Sequence, residues 1–433
     1  MRLRVAVLAL GTFAIGTDGF VIAGILPGIA RDVHTTAAAA GLLVTAFALA
    51  YAIAAPVLTA AAARFGRRNV LVAGMAVLAA ANLAAAAAPG YHALMAARVA
   101  AALGAALYSP IAMATAVQLS PPAERGRALS LVLAGMTVSL VAGVPAGSLL
   151  GSLASWRWTF ILVAALAALC GLGVRILLPR IPASPAAPLS ARLALLRRPV
   201  VVASLGATFA WITGAFTIYT FIAPVLTAAT GWTGPAISGL LLAYGAAAVA
   251  GNALGGQAAD RWGARRSIVI ALSSLVVSLT AVAYAAQRGP AAGTPIAIIA
   301  VIAWAGAGWS LTPAQAHRLI ALTPAAGPEV LSLNTSVVYL GIAAGAALGG
   351  TVLSHLGVPQ LALAGAALQL LALVTVTGAR ARDHPAAGPA LAGPWPPARQ
   401  GTRSEPGRTA APPGPRAARR PPAPDHSRRD RQR

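Results

Sequence analysis

The sequence predicts an all-α membrane protein, with twelve transmembrane helices arranged as two six-helix pseudo-repeats. Three observations predict this. Of 433 residues, 58% are hydrophobic and 9% are charged, against about 25% charged in a soluble chain, so lipid is the solvent for most of the surface. Apolar runs long enough to cross a bilayer recur twelve times. Landmarks also return at a fixed offset: Ala63-Arg64-Phe65-Gly66 is echoed by Asp260-Arg261-Trp262-Gly263, and Pro27 by Pro224, each 197 residues later. A shared offset between equally sized sets of spans is the mark of a duplicated unit.

The runs cover roughly 5–27, 40–62, 69–88, 93–119, 128–151, 158–178, 200–227, 235–258, 267–286, 295–316, 330–352 and 358–379. The first exceeds the hydrophobic region of a signal peptide and more spans follow it, so it reads as an uncleaved helix. Residues 1–178 form the first bundle and 200–379 the second. The Pro-rich, then basic, stretch 179–199 links them. Residues 380–433, rich in Pro, Ala and Arg, cannot bury a core and read as a disordered basic tail.

Arginine counts set the orientation. Before residue 380 the chain has 20 arginines and five acids (Asp18, Asp32, Glu124, Asp260 and Glu329); 16 of those arginines fall on the side shared by both termini. That side is the cytoplasmic one by the positive-inside bias, in a multi-pass protein of the plasma membrane. The net charge of +23 is divided among short clusters rather than forming one face, which excludes a nucleic-acid partner. Cys170 is the only cysteine and the histidines lack ligand spacing, so no disulfide, metal or cofactor is expected. No nucleophile–base–acid set or phosphate loop points to an enzyme.

Two charges stand out inside spans. Asp18, in GTDGFVIAG, is the one acid well within an apolar run, and an unpaired charge at mid-bilayer costs about 2.5–3.5 kcal/mol on insertion scales. Arg98 is its expected partner: nine and five residues from the outer ends of their spans, the two differ in depth by only about 6 Å at 1.5 Å per residue. An arginine this near the outer end can alternatively snorkel outward. In span 5, Gly135, Ser139, Gly143, Gly147 and Gly151 recur every fourth residue, giving a face bare of side chains that admits another backbone; Pro145 adds a missing hydrogen bond and a bend. Gly263 supplies a tight turn between spans 8 and 9, and Asp260 can cap span 9 or pair with a neighbouring arginine. Phe47, Tyr51, Tyr108, Trp211, Phe216, Tyr219, Tyr244, Trp304, Trp309 and Asn334 are candidate cavity residues, suited to a bulky, moderately apolar small molecule.

GQAADRWGARR, from Gly256, resembles the loop signature of the major facilitator superfamily, in which a glycine is followed by an Asp-Arg pair and then by glycine and basic residues. The resemblance covers residues 5–379. It implies a latching loop after spans 2 and 8, carried here by Gly256, Asp260, Arg261, Gly263, Arg265 and Arg266, and by Arg64, Gly66, Arg67 and Arg68 in the first copy. In that copy Thr59 and Ala63 replace the glycine and the aspartate. AARVAAALGAA around Arg98 is similar to the family's span 4 signature, which implies a part in proton transfer. AGVPAGSLLG resembles the span 5 motif of drug/proton antiporters, with Val144 interposed between glycine and proline. WRWTF, YTFIAP, PAQAHRL and LNTSVVYLG look like the twelve-span branch that includes arabinose-efflux-permease-like and chloramphenicol-efflux-like proteins. The resemblance implies a monomeric proton-coupled exporter of small amphiphilic molecules such as drugs, with Asp18 and Arg98 handling the proton. Asn82, Asn252, Gln257 and Gln315 leave export of sugars or related metabolites open, and a non-transporting sensor or scaffold is the alternative of another class.

Overall fold

The computed structural model describes residues 2–182 and 189–378, and the part of the linker at 183–188 and the tail 380–433 lie outside them. The described residues are helical throughout, without strands: α1 (Arg2–Phe20), α2 (Ile22–Asp32), α3 (Ala37–Ala62), α4 (Arg67–Ala86), α5 (Tyr91–Leu119), α6 (Arg125–Val138), α7 (Val144–Leu153), α8 (Trp156–Leu177), α9 (Leu189–Ala194), α10 (Pro199–Tyr219), α11 (Ile222–Thr230), α12 (Pro235–Trp262), α13 (Ala264–Leu322), α14 (Gly327–His355) and α15 (Val358–Gly378). Large apolar side chains such as Val277 and Ile299 stand 69% and 70% exposed on the outside of the bundle. That is the surface a lipid-embedded protein presents, because hydrocarbon imposes no cost on it.

The expected spans are present, but several are broken. Span 1 divides into α1 and α2 at Val21, and span 7 into α10 and α11 at Thr220–Phe221. The second break lies one turn before Pro224, whose ring cannot donate to the Thr220 carbonyl. Span 5 divides into α6 and α7 across a single π-helical turn, Ser139–Gly143, closed by a bond from the Val144 N–H to the Ser139 carbonyl. Pro145 follows at once, so the chain widens the preceding turn instead of completing an ordinary ladder. Spans 9 and 10 are separate helices as expected: they meet within α13 at Gly289, whose φ of +71° and ψ of −178° are not helical. Short caps set other ends: the Thr36 hydroxyl accepts from the Ala39 N–H at 3.1 Å and the Ser155 hydroxyl from that of Arg157 at 3.3 Å.

Within the first half α1 packs on α6 and α8, and α4 lies between α5 and α8; within the second, α10 lies between α14 and α15, and α13 packs on α12 and α15. Across the halves α3 lies along α14, while α12 lies along the π-turn and α7. In span numbers these pairs are 2 with 11 and 8 with 5. They exchange under a two-fold relation between the repeats, as duplication requires. Along the first seam Thr45 Oγ1 donates to the Ala343 carbonyl at 3.2 Å, and the Tyr51 and Tyr339 rings stack 3.6 Å apart. Along the second, the Ser148 and Ser238 hydroxyls meet at 3.0 Å. A side chain on Gly245 would strike the Leu140 carbonyl, so its absence permits the contact. Of these contacts the serine pair lies nearest the end opposite the basic loops.

Candidate functional site

Asp18 and Arg98 are brought together. They are 0% and 1% exposed, with Arg98 Nη1 donating to Asp18 Oδ1 at 2.6 Å and Nη2 to the Asp18 backbone carbonyl at 3.3 Å. Neither faces lipid, and Arg98 does not snorkel. Burial of this kind requires pairing, since an isolated charge in so dry a place is not tolerated. The pairing is incomplete, however. Asp18 Oδ2, Arg98 Nε and Asn82 Oδ1 are buried without hydrogen-bond partners, and Asn82 approaches the carboxyl from α4. The guanidinium is held between rings, 4.4 Å from the centroid of Phe47 and 5.9 Å from that of Phe160.

A small chamber lies beside the pair, between the halves. Ile15, Gly16, Gly19 and Phe20 of α1, Val44, Phe47 and Ala48 of α3, and Met136 of α6 form one wall; Phe216 of α10 and Tyr339 and Ile342 of α14 form the other. Its volume is about 20 Å³, room for little more than one water. A space this small admits no cargo, so the lining residues must separate for cargo to bind among them. Phe20, at the break in span 1, projects into an aromatic cup from the second half. Its ring lies 6.0 to 6.1 Å from those of Phe216, Tyr219 and Trp309, and Tyr244 and Trp304 stand behind Tyr219.

Of the cavity residues expected from the sequence, Phe47 and Phe216 line the chamber, and Tyr51 adjoins it through Tyr339. Tyr219, Tyr244, Trp304 and Trp309 form the cup. Three are elsewhere. Tyr108 is buried inside the first bundle, its hydroxyl donating to the Leu8 carbonyl at 3.0 Å and touching Cys170 Sγ at 3.4 Å; Gly11 and Gly74 make room for it. Trp211 is packed in the core, where its carbonyl accepts from Gln369. Asn334 accepts from Thr208 in a cluster that Gln315 and Ser204 complete. Phe20 and Tyr339 carry no sign in the sequence of facing the chamber. An aromatic in a helix apolar on every side gives no periodic sign of which way it faces.

Tyr108→Phe therefore tests the reassignment. Removing the hydroxyl costs about 1 kcal/mol for one lost hydrogen bond, read as a lower melting temperature, and leaves cargo affinity within twofold of wild type. A change in which cargo is bound, with stability intact, contradicts this placement.

The span 5 ladder packs where its bare face suggests. Side chains added at Gly135, Gly143, Gly147 and Gly151 would meet Thr12, Thr17, Val21 and Ile25 of span 1 in turn. Ser139 fits against Gly16, and Pro145 is buried at the start of α7.

The basic loops differ from expectation in one respect. Gly263 adopts φ +81° and allows the turn, and Arg265 Nη2 donates to the carbonyls of Val376 and Thr377 at the end of α15. Asp260 neither caps nor pairs: it is exposed, α13 has no side-chain cap, and among the described residues Asp260 makes no hydrogen bond or ion pair. Full hydration leaves a carboxylate little to gain from a surface pair. Arg261 and Arg266 are exposed beside it, and Gly256 faces Pro313. In the first copy Gly66 precedes α4, the Arg67 N–H donates to the Ile181 carbonyl at 3.1 Å and the Arg68 side chain to that of Leu178, while Arg64 lies over Phe65.

Comparison with known proteins agrees with this architecture. The chain is 35% identical over 365 residues to the chloramphenicol resistance protein of Streptomyces lividans, covering 82% of this chain and 90% of that one. It is 32% identical over 370 residues to the inner membrane transport protein YdhP of Escherichia coli (strain K12), covering 85% and 94%. The crystal structure of a D-xylose-proton symporter superposes with a TM-score of 0.71 at 16% identity over 86% of this chain and 96% of that one, a likeness of fold alone. The family model described as Major Facilitator Superfamily matches twice, at residues 8–223 and 207–422. With two such matches spanning a duplicated twelve-span bundle, the chain belongs to the Major Facilitator Superfamily.

Proposed function

We propose that this transporter is a proton-coupled exporter of small amphiphilic molecules such as drugs or antibiotics. It works as a monomer in the plasma membrane with both termini in the cytoplasm, its bundles at 1–178 and 200–379 joined by the 179–199 linker. The observation that carries the reading is the buried Asp18–Arg98 pair next to the chamber. Arg98 holds Oδ1, which leaves Asp18 Oδ2 as the oxygen open to a proton. Protonation discharges the carboxyl and loosens its hold on Arg98, and deprotonation on the other side of the membrane restores the pair. With one such carboxyl the cycle moves about one proton. Exchange of a neutral cargo for that proton gains about 2.3 kcal/mol per 100 mV, close to a fiftyfold gradient.

The chloramphenicol resistance relative supports drugs over sugars, as does the chamber wall. Its one polar side chain is that of Tyr339, whereas a polyol needs several buried donors and acceptors. The loops carrying Arg64, Gly66, Arg67, Arg68, Gly256, Asp260, Arg261, Gly263, Arg265 and Arg266 serve as the cytoplasmic latch in this cycle, with Asp260 recruited when the halves close at that end.

The test is a toxicity panel in a host stripped of its own pumps. Expression raises the tolerated chloramphenicol concentration several-fold, and dissipating the proton gradient removes the protection. Protection from sugars but not drugs, or protection indifferent to the gradient, overturns the proposal.

A further inference from the structure

We infer that the cargo of this chamber is uncharged and reaches the proton site only through the ring of Phe47. This rests on the exporter reading and specifies its substrate class. No ionised side chain lines the chamber among the described residues. Asp18 is the nearest acid, but it is wholly buried with one oxygen held by Arg98, and it contributes nothing to the chamber wall. A cation placed there would surrender its hydration without gaining a counter-ion, a cost no apolar contact offsets. A neutral, partly aromatic molecule loses little, and the faces of Phe47 and Phe216 and the Tyr339 hydroxyl suit it.

The same wall shows how an uncharged cargo can influence a proton without touching it. Phe47 belongs to both places: it lines the chamber, and its ring carries the Arg98 guanidinium 4.4 Å from its centroid. Gly19, next to Asp18 in the chain, leaves the ring space, since even an added Cβ there would stand 3.9 Å from it. Cargo pressing on Phe47 tilts the ring from beneath the guanidinium and removes a cation–π contact at a desolvated site. Arg98, freed from the ring, closes on Asp18, which favours the ionised carboxylate, and the proton leaves Asp18 for the cytoplasmic water as cargo binds. Phe47 is thus a positioning residue, and substrate and proton communicate by displacement rather than by competition for one charge.

The experiment uses full-length protein in proteoliposomes, with chloramphenicol as the neutral probe and ethidium as a planar aromatic with a fixed positive charge. Wild type accumulates chloramphenicol against a gradient when a membrane potential is imposed at equal pH, because one proton enters for one uncharged molecule. Ethidium neither displaces chloramphenicol nor is moved. Phe47→Leu keeps the bulk but removes the ring face: chloramphenicol is bound more weakly and exchanges with a raised KM, while potential-driven and pH-driven accumulation are lost even at saturating chloramphenicol. Phe47→Tyr retains them. Coupling by Phe47→Leu equal to wild type, or ethidium competing for the site, overturns the inference while leaving the exporter intact. Failure of wild type to accumulate either probe under any proton gradient removes the exporter reading, and this inference with it.

Discussion

Asp18→Asn leaves the chain able to exchange cargo across the membrane but unable to drive it uphill. The amide is nearly isosteric with the carboxyl, so the chamber keeps its shape, yet no proton can be taken up and released at that position. Substrate-induced acidification or alkalinisation, followed with a pH-sensitive dye in inverted vesicles, falls to the level of vesicles lacking the protein. The proton-driven gradient of about fiftyfold per 100 mV falls to unity. Stability falls as well, because Arg98 keeps a buried charge without its counter-charge; removing one member of a buried pair costs about 3–5 kcal/mol. Asp18→Glu supplies the control, since it preserves charge and proton chemistry. Undiminished proton movement in a folded Asp18→Asn protein would remove Asp18 from the cycle.

The second prediction concerns the seam between α7 and α12. With the Ser148 and Ser238 hydroxyls 3.0 Å apart and both buried, cysteines at these positions lie within a small rotation of an S–S bond of about 2.05 Å. The Ser148→Cys/Ser238→Cys protein forms this bond on mild oxidation, detected as halves that stay joined after cleavage in the linker. Transport stops and returns with reductant. Cys170 does not interfere, because it is buried against Tyr108. Adding Gly245→Val separates the seam, since the new side chain meets the Leu140 carbonyl and the Val141 Cα, backbone atoms that cannot yield. Cross-linking then falls about tenfold, the effect of about 1.4 kcal/mol of overpacking. Bond formation with transport unimpaired would show that this seam does not open during the cycle.

Much of this architecture was legible in the sequence because the bilayer makes unusually plain demands. Length and apolarity mark the spans, and charge marks the loops. Similar depth made an Asp18–Arg98 pair geometrically open in the sequence but left Arg98 able to snorkel; the burial of both side chains decides between the two. The span 5 ladder was more direct, because a face of glycine and serine can only be filled by another helix. Less visible were the break at Val21, six residues before Pro27, and the π-helical form that the bend at Pro145 takes. The chamber was hardest to read. Phe20, Tyr108 and Tyr339 are chemically alike in the sequence, yet one is a plug, one a bundle filler and one a wall. Gly11 and Gly74 admit Tyr108 to its bundle, whereas Phe20 and Tyr339 are directed by the rings they meet. Asp260 failed as a cap for the converse reason: at an exposed helix end, water competes with every partner.

The position of the aromatic cup has a consequence for how such a pump can change over generations. Asp18, Arg98 and Asn82 all come from the first half of the chain, whereas Phe216, Tyr219, Tyr244, Trp304 and Trp309 all come from the second. In the proposed cycle the energy supply is inherited on one stretch of the gene and most of the aromatic cup on another, with Phe20 and Phe47 reaching across from the first. Mutation can remodel the cup, accommodating a new toxin, while the machinery that taps the ion gradient passes on untouched.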